Sequence, residues 1–224
     1  MNSPLNNDGL AMAGIFISFE GIDGSGKTTQ ITKIQAWLQQ RGHDCLITRE
    51  PGGTQGAEAI RNLVMHEKDV AFSPAVETAL LYAARKDHVE KIIKPALQKG
   101  IMVLCDRFHD SSLAYQGGGR KLDAEWIMKL HLLLLNDFMP DLTFYFDIDP
   151  KQAHERREKR NHQEKDVFES TGYEFMQRVK SHYDQLASLS PQRIITINAS
   201  QSREDIFADL THYLDSYLEN HQHV

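Results

Sequence analysis

The chain has 224 residues, of which 41% are hydrophobic and 25% charged, as in a globular protein with a sizeable core. Its formal net charge of −6 offers no basic surface for wrapping nucleic acid, so any phosphate site must be locally basic. No apolar run approaches the roughly 18 residues of a membrane span, and the N-terminal residues lack the features of a signal peptide. We therefore expect a cytoplasmic protein with no nucleic-acid and no membrane partner.

The predicted elements alternate between strands and helices along the chain. A polar, disordered N-terminal extension is expected over residues 1–13, and a polar loop over residues 110–120. Short apolar runs predict strands at 15–19, 45–48, 101–105, 142–146 and 193–197. After a first helix that opens at Gly26, further helices are predicted at about 55–66, 74–98, 123–138, 150–160, 172–189 and 201–219. This alternation predicts an α/β fold, a doubly wound five-stranded parallel sheet with helices on both faces, which binds ligands at the carboxyl ends of its strands.

A glycine-rich loop joins the first strand to the first helix. Residues 21–28 fit the pattern G-x-x-x-x-G-K-[ST] in the strand–loop–helix context of a P-loop. The backbone N–H groups of such a loop surround phosphates, Lys27 reaches the β and γ oxygens as a catalytic cation, and Thr28 offers its hydroxyl to Mg²⁺. The expected ATP-binding residues are Gly21, Ile22, Asp23, Gly24, Ser25, Gly26, Lys27 and Thr28. The alternative is a glycine-rich turn that binds nothing.

The loop by itself indicates a bound nucleoside triphosphate and leaves the reaction open, because GTPases, motors and kinases all carry it. The chain has no N-K-x-D segment for reading guanine, and 224 residues leave little room for the coupling apparatus of a motor. An ATP-dependent kinase is therefore favoured, with a P-loop NTPase fold in a single domain over residues 14–224.

Asp106 and Arg107 directly follow the third predicted strand. The carboxyl ends of parallel strands hold the ligands of a doubly wound sheet, so this position favours a functional role. Asp106 can organise Mg²⁺ through water, which makes Thr28 and Asp106 the expected metal residues, and Arg107 can bind a phosphate in bidentate fashion. The alternative is a surface ion pair at the end of a strand.

Two longer strings follow the second and third predicted strands: REPGGT at residues 49–54 and DRFHDSSLAYQG at residues 106–117. Together with FEGIDGSGKT at residues 19–28, they resemble thymidylate kinase of the bacterial type, and the resemblance extends over about residues 15–189. It implies transfer of the ATP γ-phosphoryl to dTMP, giving dTDP for dTTP synthesis. It also implies Mg²⁺ as cofactor, ATP and dTMP as substrates, and a homodimer.

The resemblance implies how the acceptor phosphate and base are bound. Arg107 is expected to hold the 5′-phosphate and to act in catalysis, with Arg49 as a helper. Arg85 is expected to reach the thymine edge. The family often has an aromatic residue four positions before this arginine, where this chain has Leu81, so stacking on the base is not expected from that position.

The remaining substrate residues implied by the resemblance surround the sugar and base. Asp23 is expected to contact the 3′-OH of the sugar. Ser111, Tyr115 and Gln116 are expected to line the base and sugar pocket, with Tyr115 excluding a ribose 2′-OH. The open alternatives are packing for Tyr115, a loop hydrogen bond for Gln116 and a turn-stabilising carboxylate for Asp23.

The arginine that neutralises the transferred phosphoryl is expected on a short lid. Some family members place it in the P-loop, where this chain has Gly24, so a lid over about residues 155–170 should supply it. Arg157 and Arg160 share a helix face there and are the expected catalytic cations. The lid lacks the arginine of the family's D-R-[FI]-E motif, because residues 166–169 are DVFE. The alternative is a solvated charged helix, since glutamates interleave with these arginines.

Two other functions remain open. The same fold could phosphorylate another small acceptor such as a deoxynucleoside, or ATP binding could drive a switch without turnover. For assembly, the apolar helix around residues 130–135 suits a dimer interface, although a buried core helix explains it equally well.

Overall fold

The computed structural model describes residues 14–67, 71–159 and 172–221. The expected N-terminal extension over residues 1–13 lies outside the described residues and stays a prediction. Across the described ranges, no helix combines the length and the apolar character needed to cross a lipid bilayer.

The described residues form a five-stranded sheet, and each strand lies within one residue of its predicted position. The strands are β1 (Phe16–Glu20), β2 (Cys45–Arg49), β3 (Met102–Asp106), β4 (Leu142–Asp147) and β5 (Ile194–Asn198). All neighbouring pairs are parallel, in the order β2-β3-β1-β4-β5. The prediction of a doubly wound five-stranded parallel sheet is confirmed.

Helices connect the strands, and several begin at side chains that cap their free N–H groups. The side chains of Thr54 and Ser73, for example, each accept a hydrogen bond from the backbone N–H of the third residue of the helix that follows. The helices are α1 (Lys27–Gln40), α2 (Gln55–Met65), α3 (Pro74–His88), α4 (Lys94–Leu97), α5 (His109–Ser112), α6 (Ala124–Leu135), α7 (Pro150–Glu158), α8 (Tyr173–Leu189) and α9 (Arg203–His221). Two π-helical segments follow α3 and α5, at Val89–Ile93 and Leu113–Gly119.

Strand β1 lies at the centre of the sheet, where the winding of the chain reverses. From β1 the chain crosses to β2 and β3 on one side, and then to β4 and β5 on the other. Such a switch point opens a crevice outside the carboxyl ends of the strands. The register pairs Phe19 with Asp106, so the loop after β1 and the end of β3 meet at this crevice.

Side chains of the central strands alternate between two core layers. Ile17 and Phe19 pack with α1 and α9, whereas Phe16 packs with α3, α4 and α6 on the opposite face. The third strand contributes to both layers in the same way, through Leu104 and Val103. Because helices cover both faces, these strands are nearly continuous runs of buried apolar residues.

The prediction of a polar loop over residues 110–120 is wrong. This stretch forms α5 and the π-helical segment after it, and most of its residues are buried. Its polar side chains have partners within the fold, as Asp110 shows by accepting from Arg193 at 2.7 and 2.9 Å. Its glycines allow close packing against α8, because a Cβ on Gly119 would lie 2.6 Å from the ring of Phe175. Tertiary contacts therefore outweigh a composition that is typical of a loop.

Candidate active site

The loop after β1 adopts backbone conformations that glycine takes without strain. Gly21, Gly24 and Gly26 have φ angles of 132°, 89° and 99°. Lys27, the first residue of α1, donates from Nζ to the carbonyl oxygens of Gly21 and Ile22 at 2.9 and 3.2 Å. The ammonium group therefore lies across the loop, next to the backbone that would surround a phosphate.

Ser25 and Lys27 give the loop groups that a phosphate can use. The hydroxyl of Ser25 is buried and has no hydrogen-bond partner within the described parts of the chain. Burial and the nearby Arg107 lower the pKa of Lys27, against the opposing effect of neighbouring carboxylates. An unpaired buried hydroxyl at the N-terminus of a helix, beside a lysine, fits the binding of an anion.

The two predicted metal residues lie in contact. Thr28 Oγ1 donates to Asp106 Oδ2 at 3.0 Å. Both side chains offer oxygen atoms, and Mg²⁺ is commonly bound by one or two protein oxygens together with waters and substrate phosphates. In the described residues, no group of three or more histidine, cysteine, aspartate or glutamate side chains could hold a metal ion. The Thr28–Asp106 pair is thus the arrangement here that suits a hard cation bound with its substrate.

Arg107 connects the loop to the space beside it. Its backbone is left-handed, with φ of 73°, a conformation that a residue with a long side chain rarely adopts. Its Nη2 donates to Asp23 Oδ1 at 2.5 Å and to the Tyr115 hydroxyl at 3.1 Å. Its Nη1 donates to Ser111 Oγ at 3.2 Å. Arg107 therefore pairs with the P-loop carboxylate, and the strand-end ion pair with Asp106 is not what the side chains form.

Asp23 is held in its charged form by the cations around it. Burial raises the pKa of Asp23, but Arg107, Lys27 and Arg157 together outweigh burial and lower it. The contact between the loop and Arg107 is therefore a charge-assisted hydrogen bond, which is stronger than one between neutral groups. Three cations thus lie near the P-loop carboxylate in a chain whose net charge is negative.

Arg85 is buried and almost fully hydrogen-bonded. Its Nε donates to Glu50 Oε2 at 2.5 Å, and its Nη2 donates to the Phe108 carbonyl at 3.0 Å and to Ser112 Oγ at 2.9 Å. Its guanidinium also lies over the ring of Tyr82, 4.5 Å from the centroid. Its Nη1 is buried and has no partner among the residues that the structure describes. One donor of a fixed arginine is thus available to a bound molecule.

A cleft beside the P-loop brings most of the predicted substrate residues together. About 640 Å³ of space lies between its walls, part of it open to solvent. Six of the seven predicted residues line it: Asp23, Arg85, Arg107, Ser111, Tyr115 and Gln116. The seventh, Arg49, is not among the lining residues, because its side chain is 56% exposed and pairs with Glu58 at 3.1 Å.

Comparisons with known proteins agree on one family. The family model described as thymidylate kinase matches residues 19–210. The thymidylate kinase of Bifidobacterium longum strain DJO10A is 44% identical over 200 residues, which cover 88% of this chain and 95% of the relative. The chain belongs to the thymidylate kinase family. The thymidylate kinase of Geobacillus sp. strain WCH70 is 43% identical to this chain, and the match covers 88% of this chain and 94% of the relative.

A solved structure supports the same family at the level of the fold. The crystal structure of thymidylate kinase from Ehrlichia chaffeensis matches with a TM-score of 0.73 and 33% identity, over 91% of this chain and 99% of that one. The predicted P-loop NTPase fold is confirmed. The chain is accordingly an ATP-dependent kinase that phosphorylates dTMP to dTDP, as the sequence indicates.

In this chain, position 24 has no room for a side chain, although some thymidylate kinases carry a P-loop arginine there. A Cβ on Gly24 would lie 2.3 Å from the carbonyl oxygen of Ala153 in α7. Helix α7 also carries Arg157, which lines a second cleft together with Asp23 and Tyr173. The structure therefore places a cation of α7 near the P-loop, where the sequence analysis expects one. Arg160 lies outside the described residues.

Glu20, which the sequence analysis does not assign to the site, lies beneath it. Its carboxyl group accepts from the Phe108 N–H at 2.6 Å, the Ser111 hydroxyl at 2.5 Å and the Tyr183 hydroxyl at 2.9 Å. Burial, with a further contribution from Asp110, raises the pKa of Glu20 to about 7. Its position directly before the P-loop is the signal in the sequence that could have identified it.

Glu50 and Arg61 are also absent from the predicted site residues. Both line the cleft, and Glu50 binds Arg85 as described above. Glu50 lies within the REPGGT string, which resembles the family, so that string contained the signal. Arg61 donates to the Pro51 carbonyl at 3.1 Å and lies on α2, where its position in a helix gives no indication of function.

Proposed function

We propose that the cleft binds dTMP while the P-loop binds ATP, so that the reacting phosphates of both substrates meet at Arg107. The observation that carries this proposal is the contact between Arg107 and Asp23, which joins the cleft to the loop at 2.5 Å. Phosphoryl transfer through a loose transition state requires alignment and charge stabilisation rather than covalent catalysis. A cation placed between two anionic substrates contributes to both.

On the ATP side, Lys27 and the loop backbone hold the β and γ phosphates. The Lys27 ammonium already lies against the loop carbonyls of Gly21 and Ile22, so it needs only a small movement to reach phosphate oxygens. We assign Mg²⁺ to Thr28 and Asp106, whose oxygen atoms suit a hard cation. When bound, the ion neutralises charge on the phosphates of ATP.

On the acceptor side, Arg107 orients the phosphate of dTMP. Its guanidinium carries donors in a planar fork that matches phosphate oxygens. Because a monophosphate is already ionised at neutral pH, the attacking oxygen needs no general base. Arg49 pairs with Glu58 outside the cleft, so this proposal assigns the acceptor phosphate to Arg107 without a helper.

The base is proposed to lie beside Leu81, with its edge at Arg85. The unpartnered Nη1 of Arg85 can donate to a thymine carbonyl oxygen. Leu81 lines the cleft, so apolar contact replaces the aromatic stacking that other family members use. The ring centroid of Tyr115 lies 4.8 Å from the Arg107 guanidinium, next to the proposed position of the acceptor phosphate. The ring is proposed to limit the space there for a ribose 2′-OH.

Charge on the transferred phosphoryl is proposed to be stabilised from α7. Arg157 lies close enough to Asp23 to lower the pKa of that carboxyl, although Arg107 and Lys27 contribute more. A cation placed where charge develops in the transition state accelerates phosphoryl transfer. The same role for Arg160 stays a prediction from the sequence.

A homodimer is proposed on the basis of α6. Residues of this helix that face inwards, such as His131 and Leu135, are buried. Large apolar side chains of the same helix are exposed: Trp126, Met128, Leu132 and Leu133. Covering such side chains with a second copy would remove apolar surface from water.

A panel of acceptors tests the proposed function. The enzyme is incubated with ATP, Mg²⁺ and dTMP, dCMP, dGMP or UMP, and the formation of ADP is measured. dTMP should support ADP formation far better than the other three. The arginine donor matches the 4-carbonyl of thymine, which dCMP lacks, the cleft is proposed to exclude the 2′-OH of UMP, and the purine of dGMP is larger than a pyrimidine. Equal rates with all four would contradict the assignment of the cleft, and turnover of thymidine itself would indicate a deoxynucleoside kinase.

A further inference from the structure

A chain of buried polar side chains runs behind Arg85, away from the cleft. Arg85 Nε binds one carboxylate oxygen of Glu50, and the other oxygen lies 3.0 Å from His88 Nδ1. His88 Nε2 in turn lies 2.6 Å from the Thr48 hydroxyl. His88 does not line the cleft, and its exposed fraction is 0%, so it cannot contact a substrate.

The hydrogen-bonding capacity of Glu50 sets the direction of its contact with His88. Carboxylate oxygens accept, so His88 donates to Glu50 from Nδ1. The Thr48 hydroxyl, which can donate or accept, completes the hydrogen bonding of the ring at Nε2. Glu50 thus selects the side of the imidazole that carries the proton, and Thr48 holds the ring in place. Each member of the chain holds the next in one orientation, ending at Arg85.

The turn that follows β2 is shaped around this histidine. Gly53 has a φ of 88°, and a Cβ on it would lie 2.5 Å from both Cδ2 and Nε2 of His88 and 2.9 Å from Thr48 Oγ1. No other residue type therefore fits at position 53 while His88 keeps its place. The second glycine of REPGGT is explained by this contact with His88.

We propose that His88 is a positioning residue for recognition of the acceptor base, acting through Glu50 on Arg85. The Glu50 contact holds Nε, while Phe108 and Ser112 hold Nη2, which leaves Nη1 as the donor for the base. A guanidinium that could rotate would discriminate less between the two kinds of base, because its N–H could turn away from a 4-amino group instead of facing it. His88 therefore supports discrimination between a base with a 4-carbonyl and one with a 4-amino group. This inference rests on the proposed role of Arg85.

Two substitutions separate the two sides of the imidazole. His88→Asn keeps an N–H donor near the position of Nδ1 and can still bind Glu50. His88→Gln keeps polarity near the position of Nε2 and loses the donor to Glu50. His131→Asn is the matched control, because His131 is also buried, at 1% exposure, and has no hydrogen-bond partner in the described residues.

The measurement is the ratio of kcat/KM for dTMP to kcat/KM for 5-methyl-dCMP, which differ only at the edge that Arg85 is proposed to read. His88→Gln should lower this ratio about tenfold, mainly through a higher KM for dTMP, as expected when a charge-assisted hydrogen bond is misdirected. The KM for ATP should not change. His88→Asn and His131→Asn should keep the ratio within about threefold of the unmodified enzyme.

An unchanged ratio in His88→Gln overturns the proposal, and so does an equal loss in all three variants. If His88→Gln does not fold, His88→Leu tests the same contact, and it should lower the ratio because Glu50 loses its donor; an unchanged ratio there also overturns the proposal. An unmodified enzyme that does not discriminate between the two acceptors overturns the role of Arg85 itself. That outcome is distinct from discrimination that survives the loss of His88.

Discussion

At the scale of single residues, Arg107 is the proposed meeting point of the ATP and acceptor sites. It touches Asp23 of the P-loop and Tyr115 of the cleft, and Ser111 links it to the buried Glu20. Its backbone has a left-handed φ, which is uncommon for a residue with a long side chain, and these contacts hold its guanidinium. The residue is therefore fixed before any substrate arrives, which lowers the cost of aligning the acceptor phosphate.

Replacing Arg107 tests this role directly. Arg107→Ala should lower kcat/KM for dTMP about 30- to 1000-fold, which corresponds to about 2 to 4 kcal/mol of transition-state stabilisation. Steady-state kinetics with saturating ATP measure the effect. Arg41→Ala serves as the control, because Arg41 follows the opposite end of α1 and packs on Trp37. Near-normal kcat/KM in Arg107→Ala would contradict the assigned role.

Glu20 predicts a dependence of stability on pH. Burial raises its pKa from 4.5 to about 7 in the folded protein. A raised pKa means that the folded state holds the proton more tightly, so the stability from this group is fully present below pH 4.5 and is lost as the pH rises through 7. The loss is about 3 kcal/mol between these limits, since one pKa unit is about 1.4 kcal/mol.

Glu20→Gln removes this titration. The free energy of unfolding, measured by urea denaturation at pH 5 and pH 8, should therefore depend less on pH in the variant than in the unmodified protein. The difference between the two proteins should shift in favour of the variant as the pH rises. Parallel pH profiles would show that Glu20 is not the group responsible.

At the scale of elements, α7 packs on the P-loop and determines where a catalytic cation can come from. Gly24 allows the carbonyl of Ala153 to approach, and an arginine at position 24 would collide with that helix. The same packing brings Arg157 to the second cleft beside Asp23. The adjacent Arg156 has a different role, because it donates to the carbonyls of Ala199 and Ser200 and ties α7 to the end of β5.

These two neighbouring arginines make a matched pair for mutation. Arg157→Ala should lower kcat about 100-fold with a much smaller change in the KM for dTMP, because it removes a charge that acts mainly in the transition state. Arg156→Ala should mainly lower the free energy of unfolding. Kinetics and urea denaturation of both variants measure the contrast. Equal effects on kcat would contradict a specific role for Arg157.

At the scale of the whole molecule, both proposed substrate sites lie at the carboxyl ends of the strands. Helix α6 presents an apolar surface of its own. Leu133 has an exposed fraction of 79%, and Leu132, one position earlier on the same helix, is also exposed. The proposed homodimer covers these side chains.

Leu133→Asp tests the assembly. The unmodified protein should have a mass of about twice 25.6 kDa in size-exclusion chromatography with light scattering. The variant should shift towards the monomer, because a carboxylate buried in an apolar interface is costly. Leu189→Asp is the control, since Leu189 is 80% exposed at the end of α8. A monomer before mutation would contradict the proposed dimer.

The sequence predicts the fold well because its signals are local. Each strand is a short apolar run, and the P-loop needs only residues 21–28 in the right order between a strand and a helix. The failure over residues 110–120 is instructive, because polar and glycine-rich composition usually marks a surface loop. Here Arg193, Glu77 and α8 provide partners and close packing that no local pattern reveals.

The sequence by itself determined the family, the reaction and six of the residues that line the cleft, since these are carried by contiguous strings and by the order of strands and helices. The tertiary structure decided which charges pair. Arg107 meets Asp23 across 84 positions, Arg85 meets Glu50 across 35, and Arg49 turns away from the cleft to Glu58. Local patterns reflect interactions between near neighbours, whereas burial and pairing depend on segments that folding brings together. For that reason the chain through Glu50, His88 and Thr48 is visible only in the folded protein.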